Sequence, residues 1–141
     1  MLVPLIKITE MQRSTNENHW VLIADETGLA SIFPSLKERL SQENLTIITV
    51  VYHSDRKHFT FRPELTILTS HFPARLYVIY ETVPYGKCKA EAIEPVINAN
   101  TTTAINFTVS GSPEFTMKAK HILTFLGIHD INTQEQFFRY Q

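Results

Sequence analysis

Five short stretches rich in β-branched and aromatic residues punctuate the chain. They are Trp-Val-Leu-Ile-Ala at 20–24, Leu-Thr-Ile-Ile-Thr-Val-Val-Tyr at 45–52, Ala-Arg-Leu-Tyr-Val-Ile-Tyr-Glu at 74–81, Ala-Ile-Asn-Phe-Thr-Val-Ser at 104–110 and, more weakly, 131–138. Each has the length and composition of a strand. The second and third are nearly continuous in apolar residues rather than alternating, which predicts strands covered on both faces, as in a parallel sheet.

Between these runs the period becomes helical. Leu29, Ile32, Phe33, Leu36 and Leu40 share one face over 29–42, with Pro34 inside the pattern, where it would kink the helix or mark a late start. Residues 112–128 carry the best helical signal. Ser112 can cap, Pro113 suits the first position, Glu114 favours the positive end of the dipole, and Gly127 supplies the stop. Met117, Ile122, Phe125 and Leu126 make its apolar stripe. Shorter helices are expected at 89–100, broken by a proline, and within 61–71 after Pro63. Alternating strands and helices predict an α/β fold, a three-layer, doubly wound parallel sheet of about five strands with helices on both faces. The polar stretch 11–19 reads as a linker or loop. It leaves 1–18 as an N-terminal appendage, with room for one strand in 1–10, and 19–141 as the domain.

Composition narrows the classes. A chain of 141 residues, 43% hydrophobic and 19% charged, suits one globular domain. A net charge of −1 offers no basic excess, so no nucleic-acid partner is expected. The single cysteine, Cys88, cannot form an internal disulfide and points to a reducing compartment, the cytoplasm. The opening apolar stretch is broken by Pro4 and Lys7, too early for a signal sequence, and no apolar run approaches the roughly 20 residues of a membrane span. His19, His53, His58, His71, His121 and His129 are scattered, so no metal site is expected.

In an open parallel sheet, ligands bind outside the carboxyl ends of the strands. That rule selects 25–31, 53–58, 82–88 and 110–116. The first holds Ala-Asp-Glu-Thr-Gly-Leu at 24–29, a strand-to-helix turn with one glycine behind two carboxylates. Asp25 and Glu26 would repel a phosphate, or would simply cap the helix that follows. The second holds Ser54 and Arg56, followed by Phe-Arg-Pro-Glu-Leu at 61–65. The fourth holds Ser110, Gly111, Ser112, Pro113 and Glu114, and the chain ends in the aromatic run Gln-Phe-Phe-Arg-Tyr-Gln at 136–141.

In order and spacing these segments resemble the NAD(P)-binding C-terminal domain of the ferredoxin reductase superfamily. Its pattern is a Gly-Gly-Thr-Gly-like turn, a Ser-x-Arg with Phe-x-x-Glu-Leu, a Cys-Gly-Pro-Pro-Glu-like turn and a terminal Glu-x-Phe. The likeness spans about residues 19–138. The Asp-Glu-Thr of the first turn is also similar to the turn of siderophore-interacting proteins, a branch of that superfamily.

The resemblance implies an oxidoreductase module that binds NADPH or NADH. Its hydride would pass to a flavin held on another domain or chain. Thr27, Gly28 and Leu29 would cradle the pyrophosphate. Ser54, Arg56 and Thr82 would meet the adenosine ribose or its phosphate. Val83 stands where NADP-preferring relatives show an arginine, which leaves Arg56 or Lys87 as substitutes. Ser110, at the place of the relatives' cysteine, would sit at the hydride-transfer point, with Gly111, Ser112, Pro113 and Glu114 around it. Phe137 or Phe138, or Tyr140, would lie near the flavin. FAD is expected only with a separate flavin-binding domain, because the β-barrel motif Arg-x-Tyr-Ser/Thr is not found in the chain. A flavin-binding partner is implied, with ferredoxin or a ferric siderophore beyond it, and a homodimer is a further option. The alternative is a degenerate domain of the same fold that serves as a non-catalytic binding module. Gly111→Val is expected to abolish binding with the fold intact.

Overall fold

The computed structural model describes residues 18–42, 46–54, 58–82 and 104–136. In chain order the elements are β1 (Asn18–Ala24), α1 (Glu26–Ser41), β2 (Ile47–Ser54), α2 (Arg62–His71), β3 (Leu76–Thr82), β4 (Ala104–Gly111), α3 (Pro113–Phe125) and β5 (Ile131–Glu135). The five strands form one parallel sheet in the order β3-β2-β1-β4-β5. This is the expected α/β architecture. The chain moves outward from the central β1 through β2 and β3, then returns to the other side of β1 for β4 and β5. Winding therefore reverses between β1 and β4.

Side-chain alternation divides the core into two layers. Trp20, Leu22 and Ala24 face α1 and α2, where they meet Leu29, Ile32, Leu36, Leu40 and Leu65. Val21 and Ile23 point the opposite way, against Phe115, Ala119 and Leu123 of α3. Fully burying one such side chain is worth about 2 kcal/mol, so these two layers hold the sheet between its helices.

Several boundaries differ from the sequence-based expectation, each for a physical reason. Helix α1 begins at Glu26 rather than near 29, because Asp25 caps it by accepting from the Gly28 N–H. Pro34 lies inside that helix on its exposed side. The carbonyl that loses its partner there can turn to water, which softens the usual cost of an interior proline. Strand β1 takes in Asn18 and His19, the end of the supposed linker. His19 is buried, with Nε2 2.8 Å from Thr49 Oγ1. Strand β2 is buried almost throughout, as expected, but β3 is not. It pairs only with β2 among the described residues, and Tyr77 on it is 49% exposed. Strand β5 ends at Glu135, short of 138. The helix expected at 89–100 and the segment 1–10 lie outside the described residues.

Helix α3 closes as the sequence suggests. Gly127 adopts φ +92°, and the N–H groups of Gly127 and Ile128 return to the carbonyls of Thr124 and Leu123 at 3.0 and 2.9 Å. This is the glycine-terminated helix end in which two orphan carbonyls are satisfied at once.

Candidate functional site

The carboxyl edge of the sheet gathers most of the predicted residues, but it has two unlike parts. The first is the seam where winding reverses, between β1 and β4. Here the amino termini of α1 and α3 approach each other from opposite faces of the sheet. Asp25 stands between them. Its Oδ1 accepts from the Gly28 N–H at 2.7 Å and its Oδ2 from the Ser112 N–H at 3.2 Å. One carboxylate thus caps α1 and holds the start of α3. Burial pushes the Asp25 carboxyl above its usual value, against the lowering effect of those two N–H bonds.

Glu26 forms a second arm. Its Oε2 accepts from the Thr60 N–H at 3.1 Å, which ties the start of α1 to the loop before α2. That loop is also held by Tyr52, whose hydroxyl accepts from the Phe61 N–H at 3.2 Å. The acidic pair is therefore a clamp on three loops. Of the two readings of these residues, the capping one describes their contacts.

The glycines of the seam are filled by the protein itself. A Cβ on Gly28 would collide with the carbonyl carbon and oxygen of Ser110 and lie 2.6 Å from the Gly111 nitrogen. The close approach that glycine permits here is that of α1 to β4. A Cβ on Gly111 would lie 2.6 Å from Asp25 Oδ1 and 2.7 Å from the Phe115 ring. Gly111→Val would thus disturb packing before it touched any ligand, contrary to expectation. Ser110 is fully buried, and its hydroxyl donates to the Gly28 carbonyl at 3.1 Å. Thr27 and Leu29 are buried in α1, and Leu29 belongs to the core. Ser112 caps α3 by accepting from the Phe115 N–H at 3.3 Å, while Pro113 and Glu114 are exposed. Beneath the seam lies His53, 1% exposed, its ring centroid 5.3 Å from that of Phe115. Burial lowers its pKa to about 4, so it is neutral at physiological pH.

The second part is the corner at the ends of β2 and β3. Ser54 and Thr82 are register partners there, so two of the predicted residues are neighbours on one face. The Ser54 hydroxyl donates to the His58 carbonyl at 2.7 Å. On that same face, Tyr52 and Tyr80 each pack edge to face with Phe59, at centroid distances of 4.9 and 5.0 Å, and meet each other tilted at 5.8 Å. The guanidinium of Arg62, first residue of α2, lies over them, 4.2 Å from the Tyr80 centroid and 5.1 Å from that of Phe59. Burial raises the Tyr80 pKa, with the Arg62 charge and hydrogen bond pulling the other way. Arg62 sits in the quoted Phe-Arg-Pro-Glu-Leu run, yet its role was not foreseen. The signal was an arginine just before a helix-starting proline. Arg56, Val83, Lys87, Cys88, Phe137, Phe138 and Tyr140 lie outside the described residues. Among the described residues no cluster of His, Cys, Asp and Glu could hold a metal ion, and no helix is long and apolar enough to cross a membrane.

No family model and no curated protein matches the chain. Solved structures do match. The CS-b5R domains of human Ncb5or, in an NAD+ form, superpose with a TM-score of 0.69 at 15% identity, over 87% of this chain and 38% of that one. A flavohemoglobin from Malassezia yamatoensis with bound FAD and heme gives 0.68 at 15% identity, over 89% and 33%. A ferredoxin-NADP+ reductase from Plasmodium falciparum gives 0.64 at 15% identity, over 89% and 56%. The chain thus spans about a third to just over half of the length of these proteins. The likeness is one of fold, and it is the ferredoxin reductase-like fold that the motifs resemble. These three structures do not show the siderophore-interacting resemblance of the first turn.

Proposed function

We propose that this chain is the pyridine-nucleotide-binding module of a flavin-dependent reductase, with NADPH or NADH lying along the carboxyl edge of the sheet. One observation carries the reading. The described parts of the segments 25–31, 53–58, 82–88 and 110–116, chosen from sequence by the strand-end rule, lie along one edge of the sheet, the first and last of them at the reversal of winding. Edges of this kind bind ligands because helix termini and strand ends leave a crevice there. When bound, the nicotinamide would supply a hydride, and its acceptor would be a flavin such as FAD on another domain or chain. Ferredoxin or a ferric siderophore would lie beyond that flavin.

The residues fit the two ends of such a cofactor unequally. The β2–β3 corner offers the Thr82 hydroxyl and a cation to a ribose, while the buried Ser54 hydroxyl already donates to the His58 carbonyl. At the seam, the Gly28 and Ser112 N–H groups already serve Asp25, so a pyrophosphate would have to lie outside that carboxylate. The buried Ser110 hydroxyl serves Gly28, and no hydride-transfer step is assigned to it.

The Asp25 bridge favours a second reading, a non-catalytic binding module that keeps the fold. Thermal unfolding with and without millimolar NADH or NADPH separates the two. A ligand at about a hundred times its Kd adds about 2.7 kcal/mol to the folded state, a shift of several degrees. An upward shift with either nucleotide supports the module. No shift with both removes it and leaves the second reading.

A further inference from the structure

We propose that the cleft between α1 and the β4–β5 half of the sheet binds a small zwitterion, an α-amino acid with a carboxamide side chain. The site is independent of the cofactor edge, since none of the described residues expected to hold a nucleotide lines it. The cleft measures about 340 Å³, at the small end of ligand pockets. Helix α1 packs over β1, β2 and β4 rather than β5, which leaves this space beside it. Ile131 turns to the α3 core, so Asn132 and Gln134 turn the other way. They line the cleft next to Thr108, the register partner of Asn132.

The wall on the α1 side is held in place. Trp20, 3% exposed, donates from Nε1 to Thr108 Oγ1 at 2.8 Å. The Arg39 guanidinium lies over its indole, 4.1 Å from the ring centroid. Arg75 donates to the carbonyls of Arg39 and Leu40 at 3.2 and 3.1 Å and so pins the end of α1. A guanidinium stacked in this way keeps its plane and has little rotamer freedom left to lose on binding.

Charge selects the ligand. Glu38 and Arg39 both line the cleft, and neither forms an ion pair among the described residues. Among those residues the side chains of Glu38, Asn132 and Gln134 also make no hydrogen bond. A ligand with only a carboxylate would be repelled by Glu38, and one with only an ammonium by Arg39. A zwitterion satisfies both, with its carboxylate on the Arg39 fork and its ammonium on Glu38. The two primary amides offer donors and acceptors that match those of a third. Most of the lining is polar and Arg39 covers the Trp20 ring, so an apolar side chain finds no seat.

Calorimetric titration of the full chain with L-glutamine tests the assignment. L-Leucine serves as the apolar control, and 4-aminobutanamide and glutaramate lack the carboxylate and the ammonium. L-Glutamine should bind saturably at millimolar concentration or below, and each of the other three about ten- to a hundred-fold more weakly. Arg39→Ala and Glu38→Gln should each weaken L-glutamine at least about ten-fold, and Glu38→Gln should also close the gap between L-glutamine and glutaramate. Where Arg39→Ala unsettles the fold, Glu38→Gln decides, because Glu38 is exposed. No saturable binding of L-glutamine overturns the assignment. So does equal affinity for L-glutamine, glutaramate and L-leucine, or an affinity that Glu38→Gln leaves unchanged.

Discussion

The seam between β1 and β4 and the corner at the ends of β2 and β3 share one edge of one sheet, yet they are built in opposite ways. At the seam the named polar groups face inward. Asp25 accepts from two helix amino termini, Ser110 donates to Gly28, and the space a Cβ would need at either glycine is taken by backbone or side chain. At the corner the exposed Arg62 lies over Tyr80 and Phe59, on the face of β2 and β3 that also carries Ser54 and Thr82. The seam spends its chemistry on holding the sheet's two halves together. The corner keeps charge available. The glycine-poor turn behind two carboxylates is thus held by internal hydrogen bonds, and the exposed cation lies one strand-pair away.

That contrast breaks most readily at Gly28. Gly28→Ala drives a methyl into the β4 backbone, which cannot step aside. We expect a loss of more than about 3 kcal/mol, read as a fall in the midpoint of urea unfolding. A near-neutral result would mean that α1 can lift off β4, and that the seam is open to ligands after all.

His53 gives the next largest effect, through pH. Its folded pKa, about 4, lies below the usual 6.5 because burial disfavours the imidazolium. Between those values the unfolded chain binds more protons than the folded one, so stability falls as pH drops from about 6.5 toward 4. The difference corresponds to a loss of about 3 kcal/mol. Urea titrations across that range should show it, and His53→Phe should flatten it. The Asp25 shift has the opposite sign. Its raised folded pKa means that its contribution is full below the unfolded value and is lost as pH rises through the folded one.

Asp25→Ala removes the cap of α1 and the tie to α3 together, for an expected loss of about 1–2 kcal/mol by chemical denaturation. Removing the buried carboxylate also relieves its desolvation, which keeps the loss from being larger. If the seam is a plugged phosphate seat, the same variant should bind pyrophosphate more tightly than the wild-type chain in calorimetry. Unchanged affinity would make the seam a joint and nothing more. Smallest should be Arg62→Ala, about 0.5–1 kcal/mol from lost stacking. A larger loss would make the corner as structural as the seam.

The fold was legible because periodicity reports it. Buried β-branched runs and the stripe of α1 needed only local spacing to be read, and the capping of α3 by Ser112 and Gly127 is local chemistry. The face of α3 was misread, because Met117 and Phe125 are exposed and Phe115, Ala119 and Leu123 are the buried ones. The edge strand β3 was misjudged because edge position is not a property of a strand's own residues. Leu76–Thr82 is apolar enough for a central strand, but β3 lies at the margin of the sheet. The site was legible in position and less so in role. Ser110 and Gly28 were expected to face a cofactor, and they face each other across 82 residues of chain.

What the sequence by itself determined is therefore the class of sheet, the order of its elements and the edge where chemistry can gather. These follow from interactions within a few residues. Only the tertiary structure decided which groups on that edge are already spent. Asp25 meets Ser112, and Arg62 meets Tyr80, only when β4 returns beside β1 and α2 folds back over β3. A carboxylate or guanidinium carries the same charge in any sequence context. Whether it clamps the fold or waits for a ligand depends on which distant backbone or ring the sheet brings within about 3–4 Å of it.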